Sequence, residues 1–350
     1  MGSSPASDDA LLPHQPPWRR IRIRGCHYSP GQSMRQLCKP VLWRLAARLH
    51  HIDFSCVLPG LARLPLPLGY ALARLRGHLN ALTGRDWRSM GLGFRHIHRQ
   101  SMVAYAQLFP SAGQVRLKAW RNGRFVSEAL DEFEARLIAR GRLQQLHCDF
   151  VPQGALAHCR RTDRGLVLLT LHFESFFAGV GFLGRSGAVI NLMSSAVTKD
   201  PRADPAVREH FESKYRGLEQ YLNGGKVLDM EEGLRPFYAM LNRRETLVLL
   251  GDAPVLPRGA SMSVEFLGGS RRLAGGGLRM AQSTGSDIGG FICVPRGAGR
   301  YRLVMCEPGP SEDPATIERI YQFFSKHILA HPGGWWASDL LPAMPLEKRA

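Results

Sequence analysis

From residue 165 onward, short apolar runs alternate with longer amphipathic stretches, and the runs themselves show little polar alternation. Leu166-Val167-Leu168-Leu169-Thr170-Leu171 is the clearest of them. A strand that is apolar on both sides must be covered on both sides, which is the condition of a central strand in a parallel sheet. The same texture predicts strands over 188–193, 226–229, 246–250, 288–294 and 301–306. Helices are expected over 174–183, 201–222, 230–241, 273–283 and 316–330. This order predicts an α/β fold: a mostly parallel central sheet with helices on both faces. Such sheets bind ligands beyond the carboxyl ends of their strands, so the residues that follow each strand are the informative ones.

The N-terminal part reads differently. Residues 1–17 are polar and proline-rich and are expected to be disordered. Residues 18–60 read as a basic, amphipathic, membrane-facing segment, 61–340 as the main domain and 341–350 as a tail. Trp18 to Arg24 alternates apolar and basic residues. Lys39 to His51 reads as a helix, with Val41, Leu42, Leu45, Ala46 and Leu49 on one face and Arg44 and Arg48 beside it. That is the pattern of a helix lying at a lipid interface; a surface helix packed on its own core has the same pattern. Further helices are expected over 68–109, with glycine breaks, and over 126–145, where Ser127 suits the N-terminus.

Charge narrows the partners. The formal net charge is +17, and residues 1–126 hold 19 Lys/Arg against 4 Asp/Glu. A basic segment on a balanced domain implies an anionic partner: nucleic acid, anionic lipid or an acidic carrier protein. No apolar run is long enough for a spanning helix, and no basic stretch followed by an apolar one opens the chain, so neither a multi-span protein nor a signal peptide is expected. The seven cysteines show no zinc spacing and read as reduced thiols facing the cytosol.

Among strand ends, Leu171-His172-Phe173-Glu174-Ser175 places an imidazole after a buried strand, with a carboxylate two residues on. Glu174 is expected to accept from the far ring nitrogen and fix the tautomer, unless the pair is only a helix start. Leu250-Gly251-Asp252 puts another acid at a strand end, before a Gly/Pro-rich loop that runs through Arg258. Asp229 to Glu232 reads as a complement to a helix dipole. There is no G-x-S-x-G elbow and no phosphate-binding P-loop, and Gly275-Gly276-Gly277 lacks the dinucleotide spacing.

Taken in order, these segments resemble the lysophospholipid acyltransferase superfamily, in its lipid A biosynthesis (late acyltransferase) branch. The likeness rests on the apolar strand leading into His172, on Lys199-Asp200-Pro201, on Gly224-Gly225-Lys226-Val227, and on the strand ending in Asp252. It continues through Val264 to Gly268, Gly277 to Gly285, and His331-Pro332-Gly333-Gly334-Trp335-Trp336, covering roughly residues 60–337. The family pattern is His, four residues, then an acid; here Phe177 stands in the acid's place. Ala196 replaces a frequent arginine, Ala253 replaces a glutamine after the Asp, and Ser338-Asp339-Leu340-Leu341 replaces an Arg-rich ending.

The resemblance implies an O-acyltransferase that moves a fatty acyl group from acyl-carrier protein or acyl-CoA to a hydroxyl of a membrane lipid or glycolipid. His172 would be the general base and Glu174 its orienting acid, with Asp252 at the end of the fourth strand as the alternative for that role, while Asp252, Lys199, Ser175 and Arg258 would contact substrate. No cofactor or metal is implied. The place of action would be the cytoplasmic face of the inner membrane, peripherally, on anionic lipid. Two other readings remain: an inactive lipid-binding member, for which Phe177 speaks, and a nucleic-acid-binding protein, for which only the charge speaks.

Overall fold

The computed structural model describes residues 39–88, 96–160, 163–195, 199–200, 203–255 and 259–347. The expectations for 1–17 and for Trp18 to Arg24 lie outside these residues, as do Arg258 and the end of the tail. Nine strands are present among the described residues: β1 (His147–Val151), β2 (Leu166–Thr170), β3 (Ile190–Ser194), β4 (Val227–Asp229), β5 (Thr246–Leu250), β6 (Ser261–Glu265), β7 (Ser270–Ala274), β8 (Asp287–Gly297) and β9 (Arg300–Pro310). The α-helices are α1 (Lys39–Ile52), α2 (Leu58–Leu61), α3 (Leu66–Thr83), α4 (His96–Leu108), α5 (Gln114–Ala139), α6 (Ala155–Cys159), α7 (Phe176–Arg185), α8 (Pro205–Glu219), α9 (Arg235–Asn242), α10 (Gly276–Thr284) and α11 (Pro314–Ala330).

Seven strands form one sheet in the order β1-β9-β8-β2-β5-β3-β4. All neighbours run parallel except β8 and β9, which form an antiparallel hairpin. Every residue of β2 is buried. Its alternate side chains serve two cores, as the period of two requires. Leu166 and Leu168 join Phe177, Val180, Phe133 and Leu218, from α7, α5 and α8. Val167 and Leu169 join Met280, Ile317 and Phe324, from α10 and α11. The continuous apolar run is thus the imprint of a sheet covered on both faces.

The differences from expectation have local causes. β1 was not expected: it is a half-exposed edge strand beside β9, and its polar residues hide its period. The helix expected over 273–283 begins only at Gly276, because Ser270–Ala274 pairs antiparallel with Ser261–Glu265 in a separate two-stranded ribbon. The helix expected from 201 begins at Pro205, where the Asp204 side chain caps the Ala206 N–H at 2.8 Å and proline takes the first turn. The helix expected over 126–145 is α5, which starts at Gln114 and ends at Ala139.

α5 is unusual in what it buries. Glu128, Asp131, Glu132 and Glu134 are all inside the protein. Arg124 meets Glu128, Arg76 meets Glu132, and Lys214 meets Asp131 at 2.9 Å. Buried charges persist only when so paired. Small residues bring the neighbouring helices close: a side chain at Gly77 of α3 would strike the Val126 backbone, and one at Gly217 of α8 would strike Ala139. Phe54 and Leu58, from the segment read as membrane-facing, are buried in the first core.

Candidate active site

The pairing of β2 with β5 sets the centre of the site. Thr170 lies opposite Leu250 in a parallel register, so the residues two beyond each strand, His172 and Asp252, arrive at the same level. Gly251 carries the chain across: its N–H donates to Thr170 O at 2.7 Å, and its carbonyl accepts from the Tyr321 hydroxyl at 2.8 Å.

Asp252 is fully buried. Its Oδ1 lies 2.9 Å from His172 Nδ1. Its Oδ2 accepts the His172 backbone N–H at 3.0 Å and the Trp335 indole N–H at 2.9 Å. Burial disfavours the charge on Asp252, but the imidazole's charge and the hydrogen bonds from His172 and Trp335 outweigh it, holding the carboxyl below its ordinary value. An ionised carboxylate only accepts, so Nδ1 carries the proton and Nε2 is left as the basic nitrogen. The His172 side chain is 24% exposed. Trp336 stands edge-on to it, 4.8 Å between ring centroids, and Phe176 does so at 5.7 Å.

The loop after β2 is stitched to residues 333–336. The Trp336 N–H donates to His172 O at 3.0 Å, and the Glu174 N–H donates to Gly334 O at 2.8 Å. Arg124 of α5 donates to Trp336 O, at 2.8 Å from Nε, while its other nitrogens hold Asp86. The imidazole, its acid and the aromatic wall are therefore fixed from β2, β5, α5 and the C-terminal segment at once.

The pairing of His172 with Glu174 expected from the sequence is replaced by that with Asp252. Glu174 adopts a left-handed backbone, φ 49°. Its carboxyl turns to Ser127 and lies against Gly334, where a side chain would collide with it. Burial pushes that carboxyl up to about 7, with the Ser127 hydrogen bond working against the shift. Ser175 faces inward as well: its hydroxyl donates to Glu134 Oε1 at 3.0 Å, an oxygen that also takes the Tyr301 hydroxyl at 2.9 Å. Lys199 sits beyond the ends of β3 and β4, exposed, paired with Glu232 and, at 3.5 Å, with Asp229. Phe177 is core, with its backbone N–H on Asp131 and the Lys214 ammonium 4.1 Å from its ring centroid.

Trp335, Trp336 and Arg124 belong to the site without having been singled out as site residues. The Trp pair stood in the sequence as part of a terminal motif, and His172 and Asp252 each stood at a strand end, but only the pairing of β2 with β5 brings those two together. Arg124 carried no such sign. Among the described residues, no group of three or more His, Cys, Asp and Glu side chains is arranged to hold a metal ion.

A profile of the family described as bacterial lipid A biosynthesis acyltransferase matches residues 142–337. Among solved structures, the chain is similar to the 1-acyl-sn-glycerophosphate (LPA) acyltransferase PlsC from Thermotoga maritima, at 13% identity, TM-score 0.34, over 78% of this chain and 99% of that one. No curated protein matches the sequence. The matched span runs from the turn before β1 to the end of the segment that walls His172, more than half of the chain, and on that ground the chain belongs to the bacterial lipid A biosynthesis acyltransferase family.

Proposed function

We propose that the protein transfers a fatty acyl group from a thioester, acyl-carrier protein or acyl-CoA, to a hydroxyl of a membrane lipid or glycolipid. The observation that supports this most directly is the buried, ionised Asp252 on His172 Nδ1, which leaves Nε2 basic at a strand end. In this reading Nε2 takes the proton of the acceptor hydroxyl as its oxygen attacks the thioester carbonyl. The C–O bond forms, the C–S bond breaks, and the proton passes from the imidazolium to the departing thiolate. Asp252 holds the ring and offsets the charge that develops on it; a positioned base of this kind contributes roughly 10²–10⁴-fold in rate. Trp336 and Phe176 form the apolar side of the cleft and reduce water at the base.

The basic excess of the first 126 residues supports action on an anionic surface, placed at the cytoplasmic face of the inner membrane. Lys199 and Arg258 are the sequence's basic candidates for substrate contact, and basic residues at the cleft mouth would hold phosphates of the lipid or of the donor. The second reading, an inactive lipid-binding member, draws on Phe177, buried where the family pattern has an acid. One experiment separates the two. Purified wild type and His172→Ala are given radiolabelled acyl-carrier protein and acyl-CoA with a panel of lysolipid and glycolipid acceptors. Turnover by wild type and none by a folded His172→Ala supports transfer; lipid binding without turnover by either supports the second reading.

A further inference from the structure

The backbone of Trp336 is held on both sides. Its N–H donates to the carbonyl of His172 at 3.0 Å. Its carbonyl accepts from Arg124 twice, at 2.8 Å from Nε and 2.6 Å from Nη2. The indole stands against the imidazole and lies 5.8 Å from Phe176 between ring centroids. Whatever fixes the Arg124 guanidinium therefore fixes the aromatic wall of the cleft.

What fixes it is a chain of charges that takes no part in the proton transfer. Arg124 is fully buried. Its Nη1 and Nη2 both donate to Asp86 Oδ2 at 3.0 Å, and Nη1 lies 3.2 Å from Glu128. Asp86, just after α3, takes the Arg88 backbone N–H at 2.8 Å and Arg88 Nη2 at 3.2 Å. Arg88 then reaches Asp339 with both Nη atoms, at 3.1 and 3.2 Å. Asp339 follows Trp336 closely in the chain, so the charges close on the segment from which they start. One arginine holds the carbonyl of Trp336, and the other holds the carboxylate of Asp339. Asp339 is also one of the positions where this sequence departs from the Arg-rich ending of the family pattern, and Arg88 supplies its counter-charge.

Buried ion pairs add little net stability over apolar packing of the same volume. An arginine fork accepts its partners in one planar arrangement, so what such a network supplies is geometry. Trp336 is where that geometry meets the reaction. A base at Nε2 can deprotonate water as well as an acceptor hydroxyl. The water oxygen then bonds to the thioester carbonyl carbon, and the C–S bond breaks. One of the water's protons passes by way of the imidazole to the thiolate, and the acyl group leaves as free fatty acid. Keeping water from the cleft favours transfer over this loss.

We infer that Arg124, Asp86, Arg88 and Asp339 are positioning residues, which seat Trp336 against His172 and so set the share of acyl thioester that water consumes. This rests on the proposed function, in which His172 activates a hydroxyl, and assigns to that site the device that protects its acyl donor.

The test counts free fatty acid and acylated acceptor in one reaction of full-length protein with radiolabelled acyl thioester. Both products come from one site, so their ratio does not depend on how much of a variant is folded. A residue that serves only stability lowers both alike. Arg124→Lys should raise the ratio of fatty acid to acylated acceptor by roughly tenfold, and Trp336→Leu by at least as much. Arg88→Gln and Asp339→Asn, further along the chain of charges, should raise it in the same direction. Arg124→Lys added to Trp336→Leu should raise it no further, because the arginine acts through the indole. An unchanged ratio in both Arg124→Lys and Arg88→Gln would overturn the assignment, and so would a double variant in which the two effects add. The seat of the indole is read separately by fluorine NMR of protein labelled with fluorotryptophan, the Trp336 resonance being assigned from Trp336→Phe. Arg88→Gln should shift or broaden that resonance, and an unmoved one would overturn the assignment. If wild type yields neither product, the proposed function fails, and the inference stands or falls on this resonance alone.

Discussion

Trp335 donates its indole N–H to Asp252 at 2.9 Å, and the whole indole is buried. The oxygen it meets is the one that takes the His172 backbone N–H, so the acid is saturated on one side and faces the imidazole with the other. An acid held in this way cannot rotate without losing a buried hydrogen bond.

The orienting role is tested by comparing two acids. Asp252→Asn should leave the ring in place but remove the charge that sets its tautomer, at a cost of roughly 10³–10⁴ in kcat. Glu174→Gln should stay close to wild type, because its carboxyl meets Ser127 rather than the ring. Steady-state kinetics of both in parallel decide the matter; a dead Glu174→Gln beside an active Asp252→Asn would return the role to Glu174.

Trp335→Phe keeps the ring and removes the donor. A hydrogen bond to a charged group is worth about 1.5–3 kcal/mol, so kcat should fall by about tenfold or more. KM should change little, and the acid limb of the pH–rate profile should move. A lower melting temperature with an unmoved limb would mean that Trp335 is only packing.

How much of this was legible in the sequence depended on where the physics is local. Leu166 to Leu171 announced a doubly covered strand because burial on both faces leaves a continuous apolar run. Thr246 to Leu250 was readable for the same reason. β1 and β7 were not, since an edge strand and a small charged ribbon carry polar residues at half-exposed positions. His172 and Asp252 each stood out as strand ends, yet their pairing depends on which strands are neighbours, and chain order does not say that β5 lies beside β2. Glu174 drew attention by proximity in sequence, but a left-handed residue turns its side chain away from the direction that a regular turn would give.

Glu134 should make the fold sensitive to alkali. Burial, with the charge of Asp131, pushes its carboxyl up to about 8, against the hydrogen bonds from Ser175 and Tyr301. A carboxyl raised above its unfolded value gives stability that is complete below the unfolded pKa and lost as pH rises through the folded one. Wild type should therefore melt lower at about pH 9 than at about pH 6, and Glu134→Gln, which keeps an uncharged acceptor, should narrow the gap. An equal gap in both would show that Glu134 does not titrate there.

His50 acts at the other end. It is buried against Phe54, and both ring nitrogens lack a hydrogen-bond partner. Burial, then the charge of Arg85, lowers its pKa to about 4. A histidine with a depressed folded pKa gives stability that is present above its unfolded value near 6.5 and lost as pH falls from there toward 4. His210, fully buried and lowered in the same direction, adds to the slope. Thermal melts of His50→Leu between those limits should show a shallower fall than wild type; an equal fall would assign the acid sensitivity elsewhere.

The acid that serves His172 is 80 residues away in the chain, and the indole that serves the acid is 83 residues further on. In a His-x4-acid arrangement both groups lie within one loop. Here the imidazole gains its proper tautomer only after two central strands have paired and the C-terminal segment has closed over them. Loop closures of that length are among the slower events of folding. Turnover therefore becomes a stricter gauge of refolding than helix content: a collapsed chain with native secondary structure but an open C-terminal segment would look folded by circular dichroism and transfer nothing.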